Sequence, residues 1–264
     1  MKRKLNKQNN VKGVLHMTKQ VFITGATSGI GLKMTELCLQ KGYTVYVTGR
    51  NASALKTLQN KGAIAIQADL RNRDEMDAVC AQLPTLDVAI LNAGLGYFGN
   101  ATDLLDSEID AMLETNVRAP IYLAKRIAPK MIEAGKGHLL FVGSQAGKVA
   151  TRKASVYAAS KHAITGFVNG LRMEVEPYGL KVTGIYPGPI DTPFLDKADA
   201  TNAYRVAVEN FLIQPEKVAT EVMRAIERPV REINLPRIMS FTSKLYAVAP
   251  RTVEFLGKGF FNKK

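Results

Sequence analysis

The sequence predicts an α/β fold in which helices cover both faces of a doubly wound, seven-stranded parallel sheet. Short β-branched runs alternate with longer helical patterns from one end of the chain to the other. The strand candidates are continuous apolar runs, which is typical of parallel strands that are buried on both faces. Alternation of strands and helices implies right-handed crossovers, so we expect the strands to lie parallel in one sheet.

The strands and helices can be placed in chain order. The strands are predicted at 20–24, 44–48, 63–67, 88–91, 138–143, 181–186 and 232–235. The helices are predicted near 30–41, 52–60, 72–82, 107–133, 155–177 and 215–227. Residues 188–214 open with Pro-Gly-Pro and interrupt the short spacing, and an insertion at that place is where we expect a substrate lid.

Length and charge divide the chain into one domain with two basic ends. The 264 residues suit a single α/β domain, predicted over 17–236 and including the lid. Of the net charge of +13, residues 1–16 contribute +5 and residues 237–264 another +5. The body of the protein is therefore nearly balanced, which argues against a basic face that binds nucleic acid.

The N-terminus and the cysteines carry further expectations. We expect residues 1–16 to be a disordered or non-native extension and Met17 to be the authentic start, because the first strand follows it closely; a genuine basic tail is the alternative. Cys38 and Cys80 lack metal-ligand spacing and indicate a cytoplasmic protein with free thiols. No run of about 18 apolar residues occurs, so no transmembrane helix is predicted.

A glycine-rich segment follows the first strand and opens the first helix: Thr24-Gly25-Ala26-Thr27-Ser28-Gly29-Ile30-Gly31. Glycines permit a tight turn and a close approach of the backbone to a pyrophosphate, which then faces the free N–H groups of the helix. Arg50 follows the second strand, where an NAD site is expected to carry an acid for the ribose hydroxyls. Its planar cation suits a 2′-phosphate, so we predict NADP(H); a solvated surface charge is the alternative.

Tyr157 and Lys161 lie four residues apart in a predicted helix and therefore share one face. A free tyrosine has a pKa of about 10 and is a poor base at neutral pH. A neighbouring ammonium and the positive charge of an oxidised nicotinamide favour the phenolate, so we expect a lowered pKa for Tyr157. Ser144 ends the fifth strand at the carboxyl edge of the sheet, where its hydroxyl can bond a substrate oxygen.

Together these motifs resemble those of the short-chain dehydrogenase/reductase family over about residues 18–235. The resemblance also rests on Asp69-Leu70, Asn92-Ala93-Gly94, Asn116 and Pro187-Gly188-Pro189-Ile190-Asp191-Thr192, all in family order. It implies a Rossmann-like fold and hydride transfer between NADP(H) and a carbonyl or secondary alcohol. It also implies that Tyr157 is the general acid/base, with Asn116, Ser144 and Lys161 as its catalytic partners.

The resemblance assigns the cofactor contacts as well. Asp69 would bond the adenine, and Asn92-Ala93-Gly94 would line the adenosine ribose and steady the sheet. Lys161 would hold the nicotinamide ribose, Asn116 would support a water chain from Lys161 to solvent, and Ile190 and Thr192 would bind the carboxamide. Ser28 departs from NADP-preferring members that carry a second basic residue there, which indicates a moderate preference. The predicted set is Gly25, Thr27, Ser28, Gly29, Ile30, Gly31, Arg50, Asp69, Leu70, Asn92, Ala93, Gly94, Tyr157, Lys161, Pro187, Gly188, Ile190 and Thr192.

The substrate side is predicted from topology. Ser144, Gln145, Tyr157 and Phe194 are the candidate substrate contacts, and the mostly apolar surroundings indicate a hydrophobic small molecule. We predict no metal site and no nucleic-acid partner, and we expect a homo-oligomer, either a dimer or a tetramer. Two alternatives stay open: a non-catalytic NADP(H)-binding sensor or scaffold on the same fold, and a 3-oxoacyl-carrier-protein reductase.

The C-terminal extension, 237–264, is basic and amphipathic. Residues 237–256 alternate apolar and polar positions with helical spacing, broken at Pro250, and the basic residues Arg237, Lys244, Arg251 and Lys258 recur every seven residues. We expect this extension to pack on the body of the protein or on a partner subunit. Peripheral contact with an anionic membrane is the alternative.

Overall fold

Seven strands of the computed structural model form a single parallel sheet. The structure describes residues 18–199 and 201–256, so the expectations for residues 1–16 and for a start at Met17 lie outside the described residues. Each predicted strand boundary is correct to within one residue, and the order β3-β2-β1-β4-β5-β6-β7 confirms the doubly wound sheet. The strands are β1 Gln20–Thr24, β2 Thr44–Gly49, β3 Ile64–Gln67, β4 Val88–Leu91, β5 His138–Val142, β6 Lys181–Pro187 and β7 Glu232–Leu235.

Helices cover both faces of this sheet. In the described chain they are α1 Gly29–Gln40, α2 Ala52–Asn60, α3 Arg73–Gln82, α4 Asp106–Leu113, α5 Ala119–Glu133, α6 Ser155–Val175, α7 Pro193–Ala198, α8 Ala203–Ala207, α9 Pro215–Glu227, α10 Ile238–Val248 and α11 Pro250–Leu256. Along β1, Val21 and Ile23 face one apolar layer and Phe22 faces the other, because successive strand side chains point to opposite faces. The first layer contains side chains of α1, α2 and α9, and the second those of α3, α5 and α6.

The single helix predicted at 107–133 is interrupted. One π-helical turn, Glu114–Arg118, separates α4 from α5, and the Ala119 N–H bonds the Glu114 carbonyl five residues back. Pro120 has no N–H to offer the Asn116 carbonyl, and this missing bond favours the wider turn. The prediction is therefore wrong at this point, and the interruption carries one of the predicted site residues, Asn116.

Residues 188–214 form an excursion from the body of the protein between β6 and α9. It contains α7, α8 and a short 3-10 turn, Glu209–Phe211. Its two ends are joined, because Ile190 and Ile213 form a parallel bridge and the Ile213 N–H donates to the Pro189 carbonyl at 2.9 Å. The segment therefore leaves and rejoins the body at one place, a geometry that allows it to cover the edge of the sheet.

The helices α10 and α11 follow β7 and meet at Pro250, where the sequence predicted a break. Ser243 of α10 is buried, whereas Phe241 and Val248 are exposed. Within the described chain Ser243 therefore packs on the body of the protein, whereas Phe241 and Val248 do not; packing of these apolar positions on a partner subunit stays a prediction. Within these residues, no helix has both the length and the apolar character needed to cross a bilayer.

Candidate active site

The glycine-rich loop lies between β1 and α1, where the strand order reverses. Gly25 and Gly29 have φ angles of +63° and +54°, the left-handed region that favours glycine. A Cβ on Gly31 would lie 2.1 Å from the Gly25 carbonyl oxygen, so a larger residue does not fit. These glycines therefore place no side chain of their own over the backbone at the first turn of α1, where N–H groups can bind phosphate.

Asn92 and Ala93 hold this loop from the end of β4. The Asn92 side-chain Nδ2 donates to the carbonyls of Thr24 and Gly25 at 2.9 and 3.1 Å. The backbone N–H groups of Asn92 and Ala93 both donate to Thr24 Oγ1, at 2.9 and 3.0 Å. These bonds join the ends of β1 and β4, which agrees with the expected role in steadying the sheet. Contact of Asn92-Ala93-Gly94 with a ribose stays a prediction.

Arg50 follows β2 beside the glycine-rich loop. A Cβ on Gly49 would lie 2.8 Å from Thr27 Cγ2, so the end of β2 touches the loop. The Arg50 carbonyl accepts a hydrogen bond from Gln67 Nε2 at 3.1 Å, whereas among the described residues no carboxylate forms an ion pair with its guanidinium. Ser28 precedes α1, and its side chain caps no N–H group there. The field of Arg50 reaches the Asp69 carboxylate, but its guanidinium is not engaged in a contact ion pair and can therefore still bind a 2′-phosphate.

Asp69 is paired with Arg71, a residue that the sequence analysis did not single out. Arg71 Nη2 lies 2.6 Å from Asp69 Oδ2, and the Arg71 backbone N–H donates to Asp69 Oδ1 at 3.0 Å. The Arg71 guanidinium holds the pKa of the Asp69 carboxyl below its usual range. The predicted bond from Asp69 to an adenine would therefore share the carboxylate with Arg71. Leu70 is buried between the two residues.

Tyr157 lies on the buried face of α6, and Ser144 lies beside it after β5. The Ser144 hydroxyl accepts from the Ala146 N–H at 3.1 Å and forms a hydrogen bond with Tyr157. Burial raises the pKa of Tyr157 above its ordinary value, and the bond to Ser144 opposes this rise. The Lys161 ammonium alone therefore does not produce the expected lowering; the part expected from an oxidised nicotinamide stays a prediction. The Lys161 ammonium lies 5.8 Å from the tyrosine ring centroid, and removal from water remains the largest influence on the pKa of the phenol.

Lys161 is a buried ammonium at the same site. Its Nζ donates to the Val142 carbonyl at 3.2 Å, and burial lowers the pKa of Lys161 to about 8. A Cβ on Gly94 would lie 3.3 Å both from Lys161 Nζ and from Asn116 Oδ1, so these three residues meet. An amine with this pKa can release or take up a proton near neutral pH.

Asn116 connects the loop after β4 to α6. Its Oδ1 accepts from the Leu95 N–H at 2.9 Å, and its Nδ2 donates to the Leu95 carbonyl at 2.8 Å. The same nitrogen donates to Ser160 Oγ at 3.0 Å, one position before Lys161. The π-helical turn thus places this amide against Leu95 and Ser160, next to Lys161. The expected water chain through Asn116 stays a prediction.

Aromatic rings from two segments cover Tyr157. The ring centroids of Phe98 and Phe194 lie 5.6 and 5.8 Å from that of Tyr157, and Tyr204 of α8 packs on Phe98 at 5.0 Å. The Phe98 N–H donates to the Ala198 carbonyl at 2.7 Å, which joins the loop after β4 to α7. Phe194 was a predicted substrate contact. Phe98 and Tyr204 were missed, because neither belongs to a motif or to a strongly periodic segment.

Arg205 fastens this lid. It forms ion pairs with Asp191, in the motif that follows β6, and with Asp196 of α7, the latter at 3.1 Å. The Asp199 carboxylate accepts from the Tyr204 N–H at 2.8 Å and orients the start of α8. Charged contacts therefore hold α7 and α8 together over the site. Arg205, Asp196 and Asp199 were not singled out from the sequence.

The motif Pro187–Thr192 meets the glycine-rich loop. Thr192 Cγ2 lies 3.2 Å from the position that a Cβ on Gly29 would take. The Gly188 N–H donates to the Leu235 carbonyl at 2.7 Å, so β7 supports the motif from the other side. Ile190 forms the bridge that closes the base of the lid. The structure thus places the motif beside the loop, as expected; its contact with a carboxamide stays a prediction.

Gln145 differs from the expectation for a substrate contact. Its Nε2 donates to the Tyr186 carbonyl at 2.7 Å and to Asn234 Oδ1 at 3.1 Å. Both acceptors lie near the carboxyl ends of β6 and β7. Because the amide nitrogen joins these two strands, we do not propose Gln145 as a substrate contact.

Comparison with known proteins shows what the chain is similar to. The profile of the short chain dehydrogenases matches residues 10–203. An uncharacterized oxidoreductase of Staphylococcus aureus strain USA300 is 30% identical over 228 residues, which span 83% of this chain and 95% of that protein. A serine dehydrogenase complexed with NADP+ is 28% identical, with a TM-score of 0.77, and the match covers 81% of this chain and 93% of that one. A variant actinorhodin polyketide ketoreductase with NADPH is 27% identical, with a TM-score of 0.74, over 83% of this chain and 95% of that one.

Proposed function

The chain belongs to the short-chain dehydrogenase/reductase family of oxidoreductases, and on that premise we propose that it interconverts a carbonyl and a secondary alcohol of a small apolar molecule with NADP(H). One observation carries the proposal. Buried Tyr157 and Lys161 and half-buried Ser144 form a cluster between a glycine-rich loop and an aromatic lid. A phenol, a hydroxyl and an amine in this arrangement can bind a carbonyl oxygen and exchange a proton with it.

The residues at the sheet edge fit a dinucleotide phosphate. Gly25, Gly29 and Gly31 leave the backbone at the start of α1 free of side chains. Arg50 adds a cation that forms no contact ion pair among the described residues, although its field reaches Asp69. The relatives solved with NADP+ and with NADPH support the choice of this cofactor over NAD. When bound, the cofactor supplies or accepts the hydride.

Tyr157 is the proton donor in the direction of reduction. Burial raises its pKa, so the phenol keeps its proton at neutral pH and can give it to the substrate oxygen as the carbonyl carbon receives hydride. Ser144 bonds the same oxygen while negative charge develops on it. Lys161, with its pKa lowered to about 8, is placed to restore the proton to the tyrosine. Oxidation of the alcohol reverses these steps.

The lid favours an apolar substrate. Phe98, Phe194 and Tyr204 surround Tyr157 with ring carbon, and a polar substrate there would lose its hydration without gaining matching hydrogen bonds. A ketone or aldehyde with an apolar body loses little hydration in such a site, and its single oxygen can bond Tyr157 and Ser144.

The decisive experiment follows NADPH oxidation against a panel of ketones, aldehydes and acyl thioesters. We expect Tyr157→Phe to lower kcat by a factor of roughly 10² to 10⁴, the range typical of general acid catalysis, while NADPH binding measured by fluorescence stays unchanged. Tyr178→Phe is the matched control, because Tyr178 is an exposed tyrosine just after α6. Its rate should equal that of the wild type.

Each outcome of this panel has a consequence. Turnover of acyl thioesters alone would favour the carrier-protein reductase, whereas tight NADPH binding without reduction of any carbonyl would favour the sensor. An unchanged rate in Tyr157→Phe would refute the role of the phenol.

The cofactor preference has a test of its own. Arg50→Gln should weaken NADPH binding by roughly tenfold to hundredfold, the value of one charge-assisted hydrogen-bond pair, and leave NADH binding unchanged. Fluorescence titration of both cofactors measures this without turnover, and Arg228→Gln, at an exposed arginine after α9, is the control. Equal effects on NADPH and NADH would contradict a 2′-phosphate contact.

A further inference from the structure

An apolar stripe runs along the outer face of α10. At 3.6 residues per turn, Ile238, Phe241, Leu245 and Val248 fall within about 80° of one another around the helix. Their exposed fractions are 69, 68, 46 and 84%, so the stripe faces away from the body of the protein. Large apolar side chains that are exposed side by side indicate a surface that another body covers.

The opposite face of α10 fixes the helix to the body. Met239 Sδ lies 3.1 Å from the position that a Cβ on Gly188 would take, at the base of the lid, and Ser243 is buried. The Tyr246 hydroxyl donates to Glu254 at 2.9 Å and ties α11 to α10. The stripe is therefore presented by a docked helix next to the lid.

Positive charge borders the stripe. Lys244 and Arg237 project within about 40° of its edge, and Arg251 follows in α11. Glu254 is the acidic residue of segment 237–256, and it is already bonded to Tyr246. Phe255 and Leu256, 79 and 78% exposed, extend the apolar surface. The sequence after Leu256 continues with further phenylalanines and lysines: Lys258, Phe260, Phe261, Lys263 and Lys264.

The distribution of charge distinguishes between two candidate partners that could cover the stripe, a second copy of the chain and an anionic membrane. A second copy of the chain would bring Arg237 and Lys244 close to like charges of the first copy, which opposes association. An anionic lipid surface complements the same cations, and the apolar stripe can enter the boundary between headgroups and acyl chains.

We propose that α10 and α11 dock this protein on anionic membrane surfaces. The stripe lies in the plane of the interface with its apolar side chains below the headgroups, and Arg237, Lys244 and Arg251 lie among the phosphates. This mode needs no spanning segment, and among residues 18–199 and 201–256 no helix is suited to cross the bilayer. Because Met239, on the opposite face of α10, packs on Gly188, docking leaves only this helix between the base of the lid and the lipid.

Flotation of the full chain with vesicles tests the proposal. We expect binding to vesicles of phosphatidylcholine containing roughly one third phosphatidylglycerol, and little binding to phosphatidylcholine alone. Phe241→Ser with Leu245→Ser should weaken binding by about 100-fold, because each large apolar side chain lost from lipid forfeits roughly tenfold. Arg237→Gln with Lys244→Gln should weaken it by roughly 25-fold, at about fivefold per cation, and less in high salt.

Matched variants distinguish docking through the stripe from non-specific adsorption of exposed apolar side chains to lipid. Ile64→Ser with Met173→Ser removes two exposed apolar side chains elsewhere, and its vesicle binding should equal that of the wild type. Circular dichroism and NADPH binding check that every variant is folded. Absence of vesicle binding, or equal binding of the stripe variant and the wild type, would overturn the proposal. A different result would also overturn it: the wild type forms an oligomer in solution, Phe241→Ser with Leu245→Ser dissociates that oligomer, and vesicles bind neither protein. The stripe would then be an interface with a second copy of the chain.

Discussion

Replacing Lys161 by methionine should make the protein more stable and inactive at the same time. Lys161 is only 5% exposed, and the hydrogen bond from its ammonium to the Val142 carbonyl is long, at 3.2 Å. Desolvation is the cause of its lowered pKa, and no carboxylate contributes to the shift. Methionine keeps the unbranched apolar stem and removes the charge, so the folded state no longer holds a cation away from water.

The size of the effect follows from the pKa. Burial lowers the pKa of Lys161 from an ordinary 10.5 to about 8, a difference that corresponds to about 3 kcal/mol. At pH 7 the lysine is charged in both the folded and the unfolded state, so the folded state is destabilised by the full free energy of burying the charge. Between pH 8 and 10.5 the unfolded chain still binds the proton that the folded chain has released, so the free energy of unfolding of the wild type rises with pH. The advantage of Lys161→Met should therefore shrink over that window.

Urea unfolding at pH 7 and at pH 10 measures both parts of this prediction. We expect Lys161→Met to raise the free energy of unfolding by about 1 to 3 kcal/mol at pH 7 and by much less at pH 10. Lys148→Met is the matched contrast, because Lys148 pairs with Glu232 at 2.6 Å and its loss should destabilise the fold. A Lys161→Met protein that is less stable than the wild type at pH 7, or whose advantage is constant with pH, would refute the argument.

Two further predictions concern the buried histidine and the lid. Burial lowers the pKa of His138 from 6.5 to about 4, so the wild type should lose up to about 3 kcal/mol of stability as the pH falls through that window, and His138→Leu should flatten this loss in thermal unfolding. Arg205→Met breaks the ion pairs to Asp191 and Asp196, so it should raise KM roughly threefold to tenfold and expose α8 to protease, with NADPH affinity unchanged.

Each of these two predictions has a control on the same chain. His162→Gln, at an exposed histidine of α6, should keep the pH profile of the wild type. A His138→Leu protein with an unchanged profile would mean that another group causes the acid loss. Arg224→Met breaks an ion pair within α9, away from the lid, and should leave KM unchanged. If Arg205→Met left both KM and protease sensitivity unchanged, the ion pairs would not fasten the lid.

Most of the fold was predictable because burial imposes a period on each segment. Central strands that are covered on both faces are apolar throughout, whereas the edge strands β3 and β7 are partly exposed and include polar residues; short β-branched runs located all seven to within one residue. Helix boundaries that depend on a single local hydrogen bond are harder to predict from the sequence. Asn72 accepts from the Asp74 N–H at 2.9 Å, so α3 begins at Arg73 and not at 72. The π-helical turn at Glu114–Arg118 keeps the helical period nearly intact and depends on one missing N–H, so periodicity could not reveal it.

The site was predictable where motif spacing fixes its geometry. Tyr157, Lys161 and Ser144 lie together because one turn of α6 and the end of β5 meet at the carboxyl edge of the sheet. The rise in the pKa of Tyr157 that burial causes could not be foreseen, because that burial depends on the lid, and the lid has no regular period. Phe98 and Tyr204 were missed because they lie in irregular segments, the loop after β4 and the lid, and cover Tyr157 only through contacts between these segments.

Two departures from the rules of stability coincide at this site. A buried lysine that lacks a carboxylate partner lowers stability, and so does a helix interrupted by a π-helical turn. The two meet at Gly94, where Asn116 Oδ1 and Lys161 Nζ would each lie 3.3 Å from an added Cβ. A fold under selection for stability alone would replace this lysine with an apolar residue and remove the cost. The chain therefore keeps, at one point of its core, a charge that lowers the stability of the fold and that the proposed proton transfer requires.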